Sequence, residues 1–208
     1  MANPPSVSRF RKGTLAALIG STAAIATYNI TTIEESGRTV EVQLASDGTP
    51  TIRHVNGPQY LTAYLDIAGV ATGCDGIADG VKIGQRFTEA QCNALLDKQL
   101  ISKAQGVMAC SPALGQPGRD WQRVAAVTHA YQFGVAGWCT STAHKLIEQG
   151  KIAEGCSALL LWDKVRIKGV LTPVAAVRKR SGRRMEYCRT GLPGYPVETL
   201  AARRAAWQ

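Results

Sequence analysis

The segment from Tyr64 to Gly76 constrains the fold more than any other part of the chain. It places one carboxylate, Asp66, six residues ahead of the hydroxyl of Thr72. Glycines between and after these two residues supply tight turns. We therefore predict that Asp66 and Thr72 face one another across a small hairpin. An acceptor and a donor in this arrangement can hold the water molecule that a hydrolase uses as its nucleophile.

This segment resembles the hairpin of the phage-type lysozymes, the muramidase family of T4-like and P21-like endolysins. Tyr64, Asp66, Gly69 and Thr72 match the family pattern position by position. The resemblance extends over about residues 58 to 188 and is less specific beyond the hairpin. It implies an α+β fold, in which a small antiparallel β-hairpin lobe packs on a mainly helical lobe, preceded by an N-terminal hydrophobic segment.

The position of the catalytic glutamate departs from the family pattern. The family has its glutamate nine residues before the aspartate, where this chain has Gly57. Two alternating runs with an Asp-Gly turn predict an additional β-hairpin at 39–56. Because a hairpin begins and ends at nearly the same place, an insertion there leaves Glu35 where the family has its Glu-Gly-x-Arg. We predict Glu35 as the acid and Glu34 as its alternate.

The resemblance implies hydrolysis of the β-1,4 bond between N-acetylmuramic acid and N-acetylglucosamine in peptidoglycan, for host cell lysis. In this scheme Glu35 protonates the leaving glycosidic oxygen, while Asp66 and Thr72 orient the attacking water. The site needs no metal or organic cofactor. A half-sheltered position would raise the pKa of the acid enough for it to hold a proton near neutrality.

Two other functions stay open from the sequence. A lysozyme-like domain whose acid is lost at Gly57 would bind peptidoglycan, or anchor a structural assembly, without cleaving the polymer. A lytic transglycosylase works with one acid/base group and no positioned water, but the presence of Asp66 and Thr72 disfavours it.

Residues 13–33 form an uncharged run that follows Arg9, Arg11 and Lys12. The run is long enough to cross the hydrocarbon core of a bilayer as a helix, and the basic flank places the N-terminus in the cytoplasm. Its many alanines, threonines and glycines make insertion marginal. It is a cleaved signal peptide, with Ala24-Ile25-Ala26 as the processing site, a permanent anchor, or a signal-arrest-release segment as in the P21-like branch.

We expect release, because only a weakly hydrophobic segment can leave the membrane. The protein would then be exported, tethered to the inner membrane through residues 13–33, and afterwards periplasmic. Glu35 lies two residues beyond the uncharged run, so the tethered form would hold the acid at the membrane surface. The cleft would be incomplete until release.

The composition is consistent with one catalytic domain and an anionic partner. The 208 residues are 45% apolar, with a net charge of +9, so the chain can bury one sizeable core. No nucleic-acid motif is evident and only 6% of residues are aromatic, which disfavours nucleic acid. We expect a monomer that binds peptidoglycan. The expected organisation is a membrane segment 1–33, a muramidase domain 34–190 and a basic tail 191–208.

Six cysteines and an export signal favour three disulfides. Our preferred pairing joins neighbouring elements: Cys74 with Cys92, Cys110 with Cys139, and Cys156 with Cys188. Other pairings, or six buried free thiols, stay open from the sequence.

The downstream part of the chain reads as mainly helical. A capping box at Thr88–Gln91 opens a helix, and residues 106–119 are expected to form a loop. A second helix is expected to run from near Asp120 to Gly134 and to carry His129 as a core or cleft residue. Further expected features are helices at 140–149 and 151–162, a solvated basic run at 178–184, and a short amphipathic helix at 197–207.

Overall fold

A lobe of helices and a smaller lobe of short strands make up the fold, in a computed structural model that describes residues 10–66, 68–167 and 169–191. The helices are α1 Leu15–Ile19, α2 Ser21–Glu35, α3 Glu89–Cys110, α4 Asp120–Thr140, α5 Thr142–Glu148, α6 Ile152–Ala158 and α7 Ala175–Thr190. The strands are β1 Thr39–Leu44, β2 Pro50–Asn56, β3 Tyr64–Leu65, β4 Ala71–Thr72, β5 Lys164–Ile167 and β6 Val170–Pro173, paired as three antiparallel hairpins. The predicted α+β class is confirmed.

The uncharged N-terminal run lies inside the helical lobe. Gly20, with φ of 88°, divides it into α1 and α2. The small side chains of Ala23, Ala24 and Ala26 are fully buried, and α1 and α2 contact α3 and α4. Within the described residues, no helix has both the length and the apolar character needed to span a bilayer.

The polar side chains of α2 bond to their own helix. Thr27 donates to the carbonyl of Ala23 and Asn29 to that of Ile25. Tyr28 instead reaches another element, because its hydroxyl donates to the carboxylate of Asp97 on α3 at 2.5 Å. These bonds satisfy Thr27, Tyr28 and Asn29 in a dry core, whereas the buried hydroxyl of Thr31 has no hydrogen-bond partner among the described residues.

The predicted additional hairpin is present as β1 and β2, in a register that pairs Val42 with Ile52. A Cβ on Gly57 would lie 2.5 Å from the carbonyl oxygen of Gly37, so the chain leaves the hairpin where it entered. The tip reaches the start of α1, since the Arg11 amide donates to the carbonyl of Asp47 at 2.7 Å. The hairpin therefore lies along the N-terminal helices and covers them.

The three preferred disulfides are confirmed. Cys74–Cys92 joins the small lobe to α3, Cys110–Cys139 joins the ends of α3 and α4, and Cys156–Cys188 joins α6 to α7. All three link elements after residue 73.

Two helix boundaries differ from expectation. The loop expected from residue 106 begins only after Cys110, because Gly106 allows a close helix–helix contact. A Cβ there would lie 2.7 Å from Val135 on α4. The second helix passes Gly134 through a kink, at φ of 83°, and ends at Thr140. The expected helix at 197–207 lies outside the described residues.

Candidate active site

Glu35 is the last residue of α2 and lies half-sheltered between the two lobes. Its side chain is 15% exposed, and its Oε2 accepts a hydrogen bond from Arg180 of α7 at 3.1 Å. A Cβ on Gly76 would lie 3.3 Å from the same oxygen, so the glycine leaves that side of the carboxylate uncovered. Burial raises the pKa of Glu35, against the opposing effect of Arg180.

Asp66 and Thr72 lie at the turn between β3 and β4, on either side of Val70. The Asp66 carboxylate accepts hydrogen bonds from the amides of Ala68 and Val70, both at 2.8 Å. Thr72 donates to the carbonyl of Val70 at 3.1 Å and pairs in register with Tyr64. The predicted hairpin is thus observed, with Asp66 also serving as the acceptor that closes its turn.

Tyr64 is affected by the charges of both predicted carboxylates. Burial raises the pKa of its phenol, and the charges of Asp66 and Glu35 raise it further, while Arg180 lowers it. Glu35 and Asp66 are 31 residues apart in sequence, and both lie within electrostatic range of this one side chain.

Asp75 holds the two lobes together beside Glu35. It is completely buried, forms an ion pair with Arg38 at 2.6 Å and accepts a hydrogen bond from Ser36 at 2.7 Å. Its carbonyl accepts a hydrogen bond from Tyr131 at 2.7 Å. Asp75 was not predicted from the sequence, although its partners Ser36 and Arg38 lie within three residues of Glu35. Asp75 fixes Gly76 against the end of α2.

A cavity of about 190 Å³ opens next to Gly76. Its lining combines backbone of the small lobe with polar side chains of α3 and α4: Gly76, Ile77, Ala78, Asp79, Gln99, Lys103 and Tyr131. A mixture of a ring face, an amide and charged groups suits a sugar, which presents apolar ring faces and hydroxyls. In the described part of the chain, no group of three or more His, Cys, Asp and Glu side chains lies close enough to hold a metal ion.

Glu34 occupies a different environment from Glu35. Its side chain is 2% exposed and is paired with Arg183 at 3.4 Å and Arg184 at 3.3 Å. The expectation of a solvated basic run is therefore wrong for Arg180, Arg183 and Arg184, which pair with the two glutamates. The reason is that α7 packs on the end of α2, a contact across about 150 residues that local sequence does not show.

His129 is a core residue, which was one of the two positions expected for it. It is fully buried among the rings of Phe133, Trp138 and Trp162. Burial lowers its pKa to about 2, so the imidazole is neutral.

Comparison with known proteins assigns the chain to a family. The family model for phage lysozyme matches residues 56–183. The chain belongs to the phage lysozyme family. The SAR-endolysin of Enterobacteria phage P21 is 32% identical over 173 residues, covering 81% of this chain and 91% of that protein. The SAR-endolysin of Pseudomonas phage phiKMV is 39% identical over 108 residues, covering 52% of this chain and 65% of that protein.

Solved phage endolysins share the fold. The active form of the P1 phage endolysin Lyz superimposes with a TM-score of 0.60 at 18% identity, covering 87% of this chain and 97% of that one. The endolysin of Escherichia coli O157:H7 phage FAHEc1 gives 0.59 at 23% identity, covering 83% and 94%. The predicted enzyme class, a glycoside hydrolase of the lysozyme type, and the predicted endolysin function are confirmed. The non-catalytic alternative gains no support from these relatives. The family match begins at residue 56, so Glu35 lies before it.

Proposed function

We propose that this phage lysozyme cleaves the glycan strands of peptidoglycan with Glu35 as the general acid. The observation that carries this assignment is the setting of the Glu35 carboxylate. It is partly buried, its pKa is raised, and one side faces Gly76, a residue that also lines the cavity. A carboxylic acid that holds its proton near neutrality can protonate the leaving glycosidic oxygen. Glu34 is fully engaged with two arginines and has no such opening.

Asp66 and Thr72 have the second role, that of positioning the attacking water. Both polar groups belong to one rigid turn, since each bonds to the backbone of Val70. A fixed acceptor and a fixed hydroxyl can hold a water in one orientation, which removes most of the entropic cost of its attack.

Replacement of Asp66 by asparagine tests this role without opening the turn. The amide oxygen of asparagine can still accept the two amide hydrogen bonds, so we expect an unchanged melting temperature. The loss of charge should lower the rate of wall hydrolysis by about a hundredfold, measured as turbidity loss of permeabilised cells. Asp47→Asn, at the tip of the β1–β2 hairpin, also replaces a turn carboxylate that accepts a backbone amide hydrogen bond; it is the matched control and should stay within a few fold of wild type. An equal effect of both changes would contradict the assignment.

The same assay distinguishes hydrolysis from the transglycosylase reaction. A positioned water gives products with a free reducing end, whereas a transglycosylase gives a 1,6-anhydro end. We expect only free reducing ends from the wild-type chain.

Release from the inner membrane into the periplasm is the second part of the proposal. It is supported by the names of the relatives and by the way that residues 15–35 fit the domain core. Thr27 and Thr32 of α2 donate to backbone carbonyls of their own helix, and such bonds can persist in lipid as well as in protein. The weak apolar character of the segment lowers the cost of leaving the bilayer, and the core supplies packing that lipid does not.

Ser21 and Thr22 allow a direct test of release, because both are exposed at the start of α2. Leucines at these positions should leave the folded domain intact but favour the bilayer, shifting the membrane-to-soluble ratio by about tenfold. The measurement is carbonate fractionation of cells that express the protein. Thr142→Leu makes the same change at the exposed start of α5 and should leave the ratio unchanged. If both variants fractionate like wild type, the release proposal fails.

A further inference from the structure

The hairpin of β5 and β6 exposes an unusual amount of apolar surface. Nine large apolar side chains are exposed in residues 10–66, 68–167 and 169–191, and four of them lie between Leu160 and Leu171. Leu161 and Val170 are 68% and 66% exposed, more than the other seven. Clustering of this kind marks an interaction surface more often than scattered exposed residues do.

The strand register gives the hairpin an outer face that is both apolar and basic. Lys164 pairs with Pro173 and Arg166 pairs with Leu171, so all four side chains project from the same face. All four are exposed. The two strands pair only with each other among the described residues. Since the four side chains of the outer face are exposed, that face is open to a partner.

Further positive charge adjoins the hairpin. Arg178 and Lys179 at the start of α7 are exposed, and Arg178 lies 3.9 Å from Asp163, the residue before β5. Asp163 is the acidic residue nearest to the strands in sequence, and its side chain is only 20% exposed. The exposed charge at this surface is therefore strongly positive.

We propose that this surface, formed by the outer face of β5 and β6, by Val170 at the start of β6 on the opposite face, and by exposed Leu161 just before β5, binds the anionic headgroup region of a phospholipid bilayer. Both the basic and the apolar side chains can contribute to binding at a bilayer interface, because cations contact lipid phosphates while aliphatic side chains enter the acyl boundary. A glycan strand offers carboxylates, hydroxyls and shallow apolar ring faces, but no acyl interior in which projecting leucine and valine side chains can be buried. The surface shares no residue with the proposed catalytic set of Glu35, Asp66 and Thr72, so the released enzyme can stay bound to the membrane while it cleaves the wall.

Vesicle co-sedimentation of the purified full-length protein tests the proposal. The probes are vesicles of phosphatidylglycerol with phosphatidylethanolamine, and vesicles of phosphatidylcholine alone. Lys164→Gln with Arg166→Gln should weaken binding to the anionic vesicles on the order of twentyfold, since each interfacial charge contributes about fivefold. Val170→Ser with Leu171→Ser should weaken it by about tenfold.

Matched pairs elsewhere control for changes in net charge and apolar area. Lys145→Gln with Lys151→Gln, and Val55→Ser with Ile83→Ser, alter exposed residues away from the hairpin and should bind like wild type. The N-terminal segment is the same in all variants, so it cannot produce the difference. Hydrolysis of isolated sacculi should be unchanged in the hairpin variants. Binding equal to that of the controls would overturn the proposal, as would a loss of sacculus hydrolysis with vesicle binding intact, which would assign the surface to the wall polymer.

Discussion

Replacement of Glu35 by glutamine is expected to lower the rate of peptidoglycan hydrolysis by about 10² to 10⁴, the usual contribution of a general acid. The change preserves the shape of the side chain and an acceptor for Arg180, so the melting temperature should change little. Turbidity loss of permeabilised cells gives the rate, and thermal unfolding monitors the fold. A Glu35→Gln variant that lyses cells at the wild-type rate would show that another group supplies the proton.

The pH profile shows whether the loss is chemical. Glu35 must carry a proton to act, so activity should fall as the pH rises through its raised pKa. Arg180 opposes that rise, and Arg180→Gln should therefore move the alkaline limb of the profile to higher pH. Arg178→Gln, two residues earlier on α7 and exposed, should leave the limb in place. An alkaline limb that stays fixed or moves to lower pH in Arg180→Gln would argue against Glu35 as the titrating acid.

Replacement of Glu34 by leucine is expected to destabilise the protein by about 3–5 kcal/mol, through the loss of a partner for a buried charge. Arg184 has no exposed surface, and its other contacts are the neutral groups of Thr128 and Gln132. Without Glu34, its charge would remain in the core with hydrogen bonds alone. Unfolding in urea, followed by circular dichroism, measures the change.

A double-mutant cycle separates this ion pair from packing. Glu34→Leu with Arg184→Met replaces both charges by apolar groups, so the double variant should regain most of the stability lost by either single variant. Strictly additive losses would show that the two side chains act independently. At temperatures where they remain folded, Glu34→Leu should move the alkaline limb of the pH profile to lower pH and Arg184→Met should move it to higher pH, because Glu34 raises and Arg184 lowers the pKa of Glu35.

The sequence predicted the features that depend on nearby residues. The turn after Asp66 follows from the glycines around it, and the hairpin at 39–56 follows from alternation and its Asp-Gly turn; the structure shows both. The hairpin returned the chain to Gly37 because any hairpin brings its ends together, whatever its length. The disulfides followed the same logic of neighbouring elements.

What the sequence did not predict depends on contacts between distant segments. A run of arginines such as that of α7 is typical of a solvent-exposed helix face. The ion pairs with Glu34 and Glu35 form only because the fold brings α7 to the end of α2. Asp75 has no local signal beyond its place in a turn. The division of the uncharged run at Gly20 accompanies packing on two different helices, α1 on α3 and α2 on α4.

The disulfides divide the molecule into a crosslinked part and a part without crosslinks, although both parts share one hydrophobic core. Every crosslink closes a loop within residues 74–188, whereas α1, α2 and the β1–β2 hairpin are held by non-covalent contacts alone. In thermodynamic terms, the N-terminal third is a tethered ligand of the oxidised remainder, at an effective concentration set by the connecting chain. Such a ligand leaves and rebinds without any covalent bond being broken, and in the proposed release the lipid bilayer is the competing receptor.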